Sequence, residues 1–183
     1  MASAGIVLCA DDYGIAPGVS RAIRDLLERG RLSATSCMVV SPDFAAEGPR
    51  LKPYLDRADI GLHLTLTQDR PLGALMRAAY LGRLDRQAIG AEIDRQVERF
   101  TRVLGRAPDF IDGHQHVHLL PAVREPVLEA AKKIGAYLRL TDEPVEEPPA
   151  RFAQGWREAG LPDGNNWTLA HGETRTLLLR GGD

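Results

Sequence analysis

Short apolar runs and amphipathic stretches alternate over most of the chain. Residues 6–10 are an apolar run that stops at Asp11-Asp12-Tyr13-Gly14, which predicts a buried strand ending in a loop. Pro17 suits a first helical position. Val19, Ala22, Ile23, Leu26 and Leu27 follow at helical spacing, and Gly30 marks a stop. Residues 35–40 predict a second strand, closed by Ser41-Pro42, and residues 59–67 a third. From 87 to 104, Ile89, Ile93, Val97, Phe100 and Leu104 make an amphipathic helix stopped by Gly105. Residues 109–112 read as a fourth strand. A helix over 121–134 follows, with Val123, Val127, Leu128 and Ala131 on its apolar stripe, and then a fifth strand over 136–140.

Strand and helix thus alternate from residue 5 to about 140, which predicts an α/β fold with a mostly parallel sheet, open or closed into a barrel. Beyond it, residues 143–149 form a Pro-rich acidic connector, and residues 160–183 show little periodicity. No repeat of solenoid spacing is present. The 183 residues suit one domain of ordinary size.

Composition narrows the function classes. With 23 Lys+Arg against 25 Asp+Glu there is no basic stripe, so a nucleic-acid partner is not expected. The apolar runs are far shorter than a membrane span. The N-terminal residues lack the basic and apolar regions of a signal peptide, and the two cysteines, Cys9 and Cys37, sit in apolar runs. Free thiols in a reducing cytoplasm are the expectation.

Three places carry chemistry. Asp11 and Asp12 follow a strand, at the end where α/β folds place their sites. Adjacent acids repel, so a cation or a shared proton should hold them; an Asx turn is the alternative. Along an extended backbone the two side chains point in opposite senses. They can meet at one ion only if the chain turns sharply, which the sequence suggests at Tyr13-Gly14. In the third strand Leu62, Leu64 and Leu66 share one face, while His63, Thr65 and Thr67 share the other. That makes His63 a site-facing ligand or a histidine bonded to a neighbouring strand. The densest signal is Asp112-Gly113-His114-Gln115-His116-Val117-His118, which holds three of the five histidines. Imidazoles with a carboxylate suit zinc or a similar divalent ion. The His-Gln-x-x-His spacing is not a zincin site, because Gln115 stands where the general-base Glu would be. Asp12, His63 and a histidine of this cluster therefore come from three strand ends on one rim. Such a set leaves open positions for a hydrolytic ion, with Asp11 placed to accept the proton of an activated water.

At these residues the chain resembles the YdjC-like carbohydrate deacetylases, the family of chito-oligosaccharide deacetylase. The likeness lies in Ala10-Asp11-Asp12-Tyr13-Gly14, Gly61-Leu62-His63-Leu64-Thr65-Leu66-Thr67 and residues 112–118, in that order, and Ser33-Ala34-Thr35-Ser36 resembles it too. It implies a distorted (β/α) barrel related to polysaccharide deacetylases, and a single catalytic domain over 1–183. The motif-bearing core is 5–145, with 146–183 poorly matched. It further implies one divalent ion, often assigned as magnesium, although two imidazoles favour zinc chemically. By the resemblance Asp12, His63 and His114 are the metal ligands and Asp11 the catalytic base. His116 and His118 either support the ligands or face the substrate. The implied reaction is hydrolysis of the N-acetyl amide of an amino sugar or small oligosaccharide, releasing acetate.

The family's late Cys-His-Pro-Gly-like motif has no match; Leu169-Ala170-His171-Gly172-Glu173 lacks the proline. The segments around 73–84 and after 145 are short for the family. A barrel without its last strands would expose open edges, which favours a longer chain with segments omitted over a pared-down barrel. Alternative readings are a metal phosphoesterase and a catalytically silent sugar-binding or regulatory protein. A small N-acetylated sugar is the expected partner, and pairing into a homodimer is common for barrels of this size.

Overall fold

Parallel strands cannot be joined by hairpins, so each must be reached by a crossover. The structure, a computed structural model, describes residues 7–139 and shows such a crossover between every pair of successive strands. In chain order the elements are β1 (Cys9–Tyr13), α1 (Pro17–Glu28), β2 (Ala34–Cys37), α2 (Phe44–Glu47) and a 3-10 helix (Gly48–Tyr54). After these come β3 (Asp59–Leu64), α3 (Leu72–Tyr80), α4 (Arg86–Leu104), β4 (Phe110–Gly113), a 3-10 segment (His114–Leu119), α5 (Arg124–Ile134) and β5 (Tyr137–Leu138).

The five strands are all parallel and lie in the order β1-β2-β3-β4-β5. A doubly wound sheet reverses its order at a switch point; this sheet does not. Sequential parallel order is that of a (β/α) barrel wall, in line with the α/β fold expected from the sequence. It also brings the C-terminal ends of the strands to one rim.

The two faces of the sheet differ in chemistry. Cys37, Leu62, Leu64 and Ile111 join a core with Ile23 and Leu27 of α1, Ile93, Phe100 and Leu104 of α4, and Val127 of α5. Each fully buried Leu, Ile or Phe contributes roughly 1.5–3 kcal/mol. The alternate positions Ser36, His63 and Asp112 point the other way and bond to one another. Register makes this possible, since Leu62 pairs with Ile111 and His63 with Asp112. Among the described residues no helix is long and apolar enough to cross a membrane.

Local signals set the helix ends. Pro17 opens α1; the Asp85 carboxylate caps α4 by accepting from the Gln87 and Ala88 amides at 2.8 and 3.3 Å; and α4 stops at Gly105, with φ 85°.

Several boundaries differ from those the sequence predicts. β1 runs through both acids to Tyr13 instead of ending before them. Its register shifts between Ala10 and Tyr13, a bulge centred on Asp12, whose φ is 64°. β3 stops at Leu64 and not at 67, because the Thr65 amide is taken by the side chain of Gln96 on α4, at 3.1 Å. β2 ends at Cys37 and not at 40, where the Val39 amide turns back to the Cys37 carbonyl. α5 begins at Arg124 and not at 121, after a left-handed Ala122. On α1 the buried face is Ser20, Ile23 and Leu27, leaving Val19 and Leu26 exposed. Ile6, Leu140, the 143–149 connector and His171 lie outside the described residues.

Candidate metal centre

β1 carries Asp12, β3 carries His63, and His114 is the first residue past β4. The bulge solves the problem posed by two adjacent acids. A left-handed Asp12 breaks the strand's alternation, so Asp11 and Asp12 both reach the inner rim; the turn lies at Asp12 itself and not at Tyr13-Gly14. Positive φ is uncommon for a residue other than Gly, though Asp and Asn tolerate it best.

The Asp12 Oδ1, His63 Nε2 and His114 Nδ1 atoms form a near-equilateral triangle. Its sides are 3.3 Å from Asp12 to His63, 3.2 Å from Asp12 to His114 and 3.3 Å between the two imidazoles. Donors about 2.0–2.1 Å from one tetrahedral ion stand about 3.3–3.4 Å apart, so the triangle fits the group. Among the described residues, Asp12 Oδ1 is buried without a hydrogen-bond partner. The reason lies behind His63. Its Nδ1 donates to Asp112 Oδ1 at 2.7 Å, so that in the neutral imidazole a coordinating ligand requires, Nε2 presents its lone pair toward the Asp12 carboxylate. Two acceptors at that distance repel unless a cation lies between them. A carboxylate behind a histidine ligand is also how proteins fix the tautomer and raise ligand basicity.

Asp112 is 2% exposed, and both its oxygens are occupied, the second by Arg139 Nε at 2.8 Å. Asp11 Oδ1 accepts from Arg139 and from Ser36 Oγ at 3.2 Å, and lies 3.6 Å from Cys9 Sγ. Among the described residues no donor engages Asp11 Oδ2. Burial alone would raise the Asp11 carboxyl, but the Arg139 guanidinium outweighs it and holds the group below the usual carboxylate range. The Cys9 thiol is pushed up to about 12, by burial first and despite Arg139. Cys9 is half-buried and Cys37 buried, both as free thiols.

The remaining histidines separate. Gln115 and His116 are both left-handed, with φ 54° and 57°, and His116 is exposed. His118 is 2% exposed, has no partner for either ring nitrogen among the described residues, and its pKa is lowered by burial. Its ring lies against Gly113, where a Cβ would come within 2.5 Å of Nδ1. Neither histidine joins the Asp12–His63–His114 triangle.

Asp112 and Arg139 are site residues that the sequence reading left unassigned. Asp112 was discoverable, because it pairs in register with His63 and so shares its face. Arg139 carried no such signal, being one polar residue at the end of a short apolar strand.

A family model described as YdjC-like protein matches residues 5–178. Chitooligosaccharide deacetylases of Yersinia pestis (strain Pestoides F) and Yersinia pseudotuberculosis serotype O:3 (strain YPIII) are 34% identical over 158 residues. The match covers 78% of this chain and 61% of theirs. The chain therefore spans less than two thirds of the length of these curated relatives. A solved structure from Enterococcus faecalis V583, described as a candidate cellobiose-phosphate cleavage protein, superposes with a TM-score of 0.62 at 24% identity. It covers 83% of this chain and 64% of that one, and the likeness is one of fold.

Proposed function

The chain belongs to the YdjC-like family, and on that premise we propose that the protein is a metal-dependent carbohydrate deacetylase. Its substrate would be an N-acetylated amino sugar or a small oligosaccharide such as a chito-oligosaccharide, hydrolysed at the linear amide to release acetate. The observation that carries this reading is the triangle of Asp12, His63 and His114, with its orphaned carboxylate oxygen, in a chain 34% identical to chitooligosaccharide deacetylases.

Asp12, His63 and His114 would hold one divalent ion, and that ion, when bound, supplies Lewis acidity toward water and the acetyl carbonyl. Asp11 accepts the proton of the attacking water at Oδ2, the oxygen left open by its hydrogen bonds. Arg139 keeps Asp11 ionised for that role, and Asp112 keeps the His63 proton on Nδ1. The exposed His116 faces substrate, while the buried His118 supports the 114–118 segment from behind. Two imidazoles and a carboxylate favour zinc by donor chemistry, against the magnesium implied by resemblance. The free thiols Cys9 and Cys37 support a reducing, cytoplasmic setting. A phosphoesterase would need a free cationic clamp, whereas Arg139 is bonded to two carboxylates.

The test is a screen of N-acetylated mono- and oligosaccharides for acetate release, with and without added zinc or magnesium, with phosphate esters alongside. Metal-dependent acetate release supports the proposal. Phosphate release, or metal binding without turnover of any acetylated sugar, overturns it.

A further inference from the structure

Two carboxylates from different strands approach the same guanidinium. Arg139 Nη2 donates to Asp11 Oδ1 and to Asp112 Oδ2, both at 2.5 Å, and Arg139 Nε donates to Asp112 Oδ2 at 2.8 Å. Cys9 Sγ lies 3.6 Å from the same Asp11 oxygen. One ligand atom from each of Cys9, Asp11 and Asp112 falls within 4.8 Å of the others, a spacing that a divalent ion could bridge. This trio shares no residue with the Asp12–His63–His114 triangle but adjoins it, because Asp11 precedes Asp12 and Asp112 bonds His63. A cation belongs at such a place, and one is already there.

We propose that Arg139 is the resident cation of the Cys9–Asp11–Asp112 trio, and that it keeps the neighbouring centre at a single metal ion. The trio shares no carboxylate with the triangle, and Asp112 meets His63 at Nδ1 while the triangle uses Nε2, so an ion there would be a separate second ion beside the first. Here a fixed guanidinium, which cannot lose its proton in a protein, takes that ion's place. The consequence is chemical. A second ion would make Asp11 a ligand, whereas the guanidinium leaves Oδ2 open to accept a proton. Arg139 is therefore a positioning residue. The inference rests on the metal-binding part of the reading above and not on the identity of the sugar.

Titrating metal-free protein with cobalt(II) tests it, because a Cys9 thiolate on cobalt adds near-ultraviolet charge-transfer absorption that Asp and His ligands do not. Wild type and Arg139→Lys should bind one ion without that band. Arg139→Met should bind a second ion, and the band should appear with it and vanish in Arg139→Met/Cys9→Ser. Arg139→Gln, which retains a hydrogen-bond donor toward Asp112, is the second opening variant. One ion and no band in both opening variants, folded by circular dichroism, would overturn the proposal. So would a second ion with the band in wild type, without any variant. Failure of the deacetylase reading leaves these counts unchanged. If the Asp12 triangle binds nothing, every count falls by one while the band still reports on Arg139.

Discussion

Asp11 and Asp12 are neighbours in the chain with different surroundings, and their substitutions should separate. Asp11→Asn is nearly isosteric and can still accept from Arg139, so fold and metal content should persist. Deacetylation should fall about 100-fold or more, because the amide cannot take the water's proton. Wild-type turnover by Asp11→Asn on a verified substrate would remove Asp11 as the base. Asp112→Ala should act through His63, weakening metal affinity about 10–100-fold, as read by isothermal titration. Unchanged affinity would mean the 2.7 Å bond to His63 does not orient the ligand. The triangle was legible in the sequence because each member stands at a strand end, where parallel topology gathers side chains. Arg139 was not, since its partners Asp11 and Asp112 meet it only through the register of separate strands.

At the scale of elements, the segment after β4 is a tight joint in the site. Gly113 allows the His118 ring to lie against the backbone, with a would-be Cβ 2.5 Å from Nδ1 and 2.9 Å from the His118 amide nitrogen. Gly113→Ala should therefore cost about 1–3 kcal/mol in denaturant melts and also weaken metal binding through the adjacent His114. A variant as stable as wild type would show that the segment can shift freely. The helices with long apolar periodicity, α1 and α4, were readable almost to the residue, because Pro17, Gly105 and the spacing all agree. α2 and the 3-10 helix over Gly48–Tyr54 were not, as α2 is a single turn and the 3-10 helix contains Pro49 and Pro53, which interrupt a helical pattern. The polar acids of β1 looked like a strand end for a related reason: a strand with an inward polar face and a bulge breaks the pattern by which strands are recognised.

At the scale of the whole molecule, the described residues join an apolar layer under the helices to a polar inner face, and stability should depend on pH through that arrangement. Burial lowers the His118 pKa from its ordinary 6.5, so the folded protein keeps this imidazole neutral while the unfolded chain takes a proton. Its contribution is then full above about pH 6.5 and declines as pH falls toward the folded-state value. His118→Leu should flatten that part of the curve in melts between pH 7.5 and about 5.5; an identical slope in the variant would assign the pH dependence elsewhere. The sequential parallel order of the strands, which alternation of strand and helix foretold only as far as a parallel sheet, is what gathers Asp12, His63 and His114 at one rim. Elemental analysis of protein purified without chelator tests that gathering most directly. Close to one divalent ion per chain is expected in wild type, sharply less in His63→Ala, and none when Asp12, His63 and His114 are all replaced. Full metal content in the folded triple variant would contradict it.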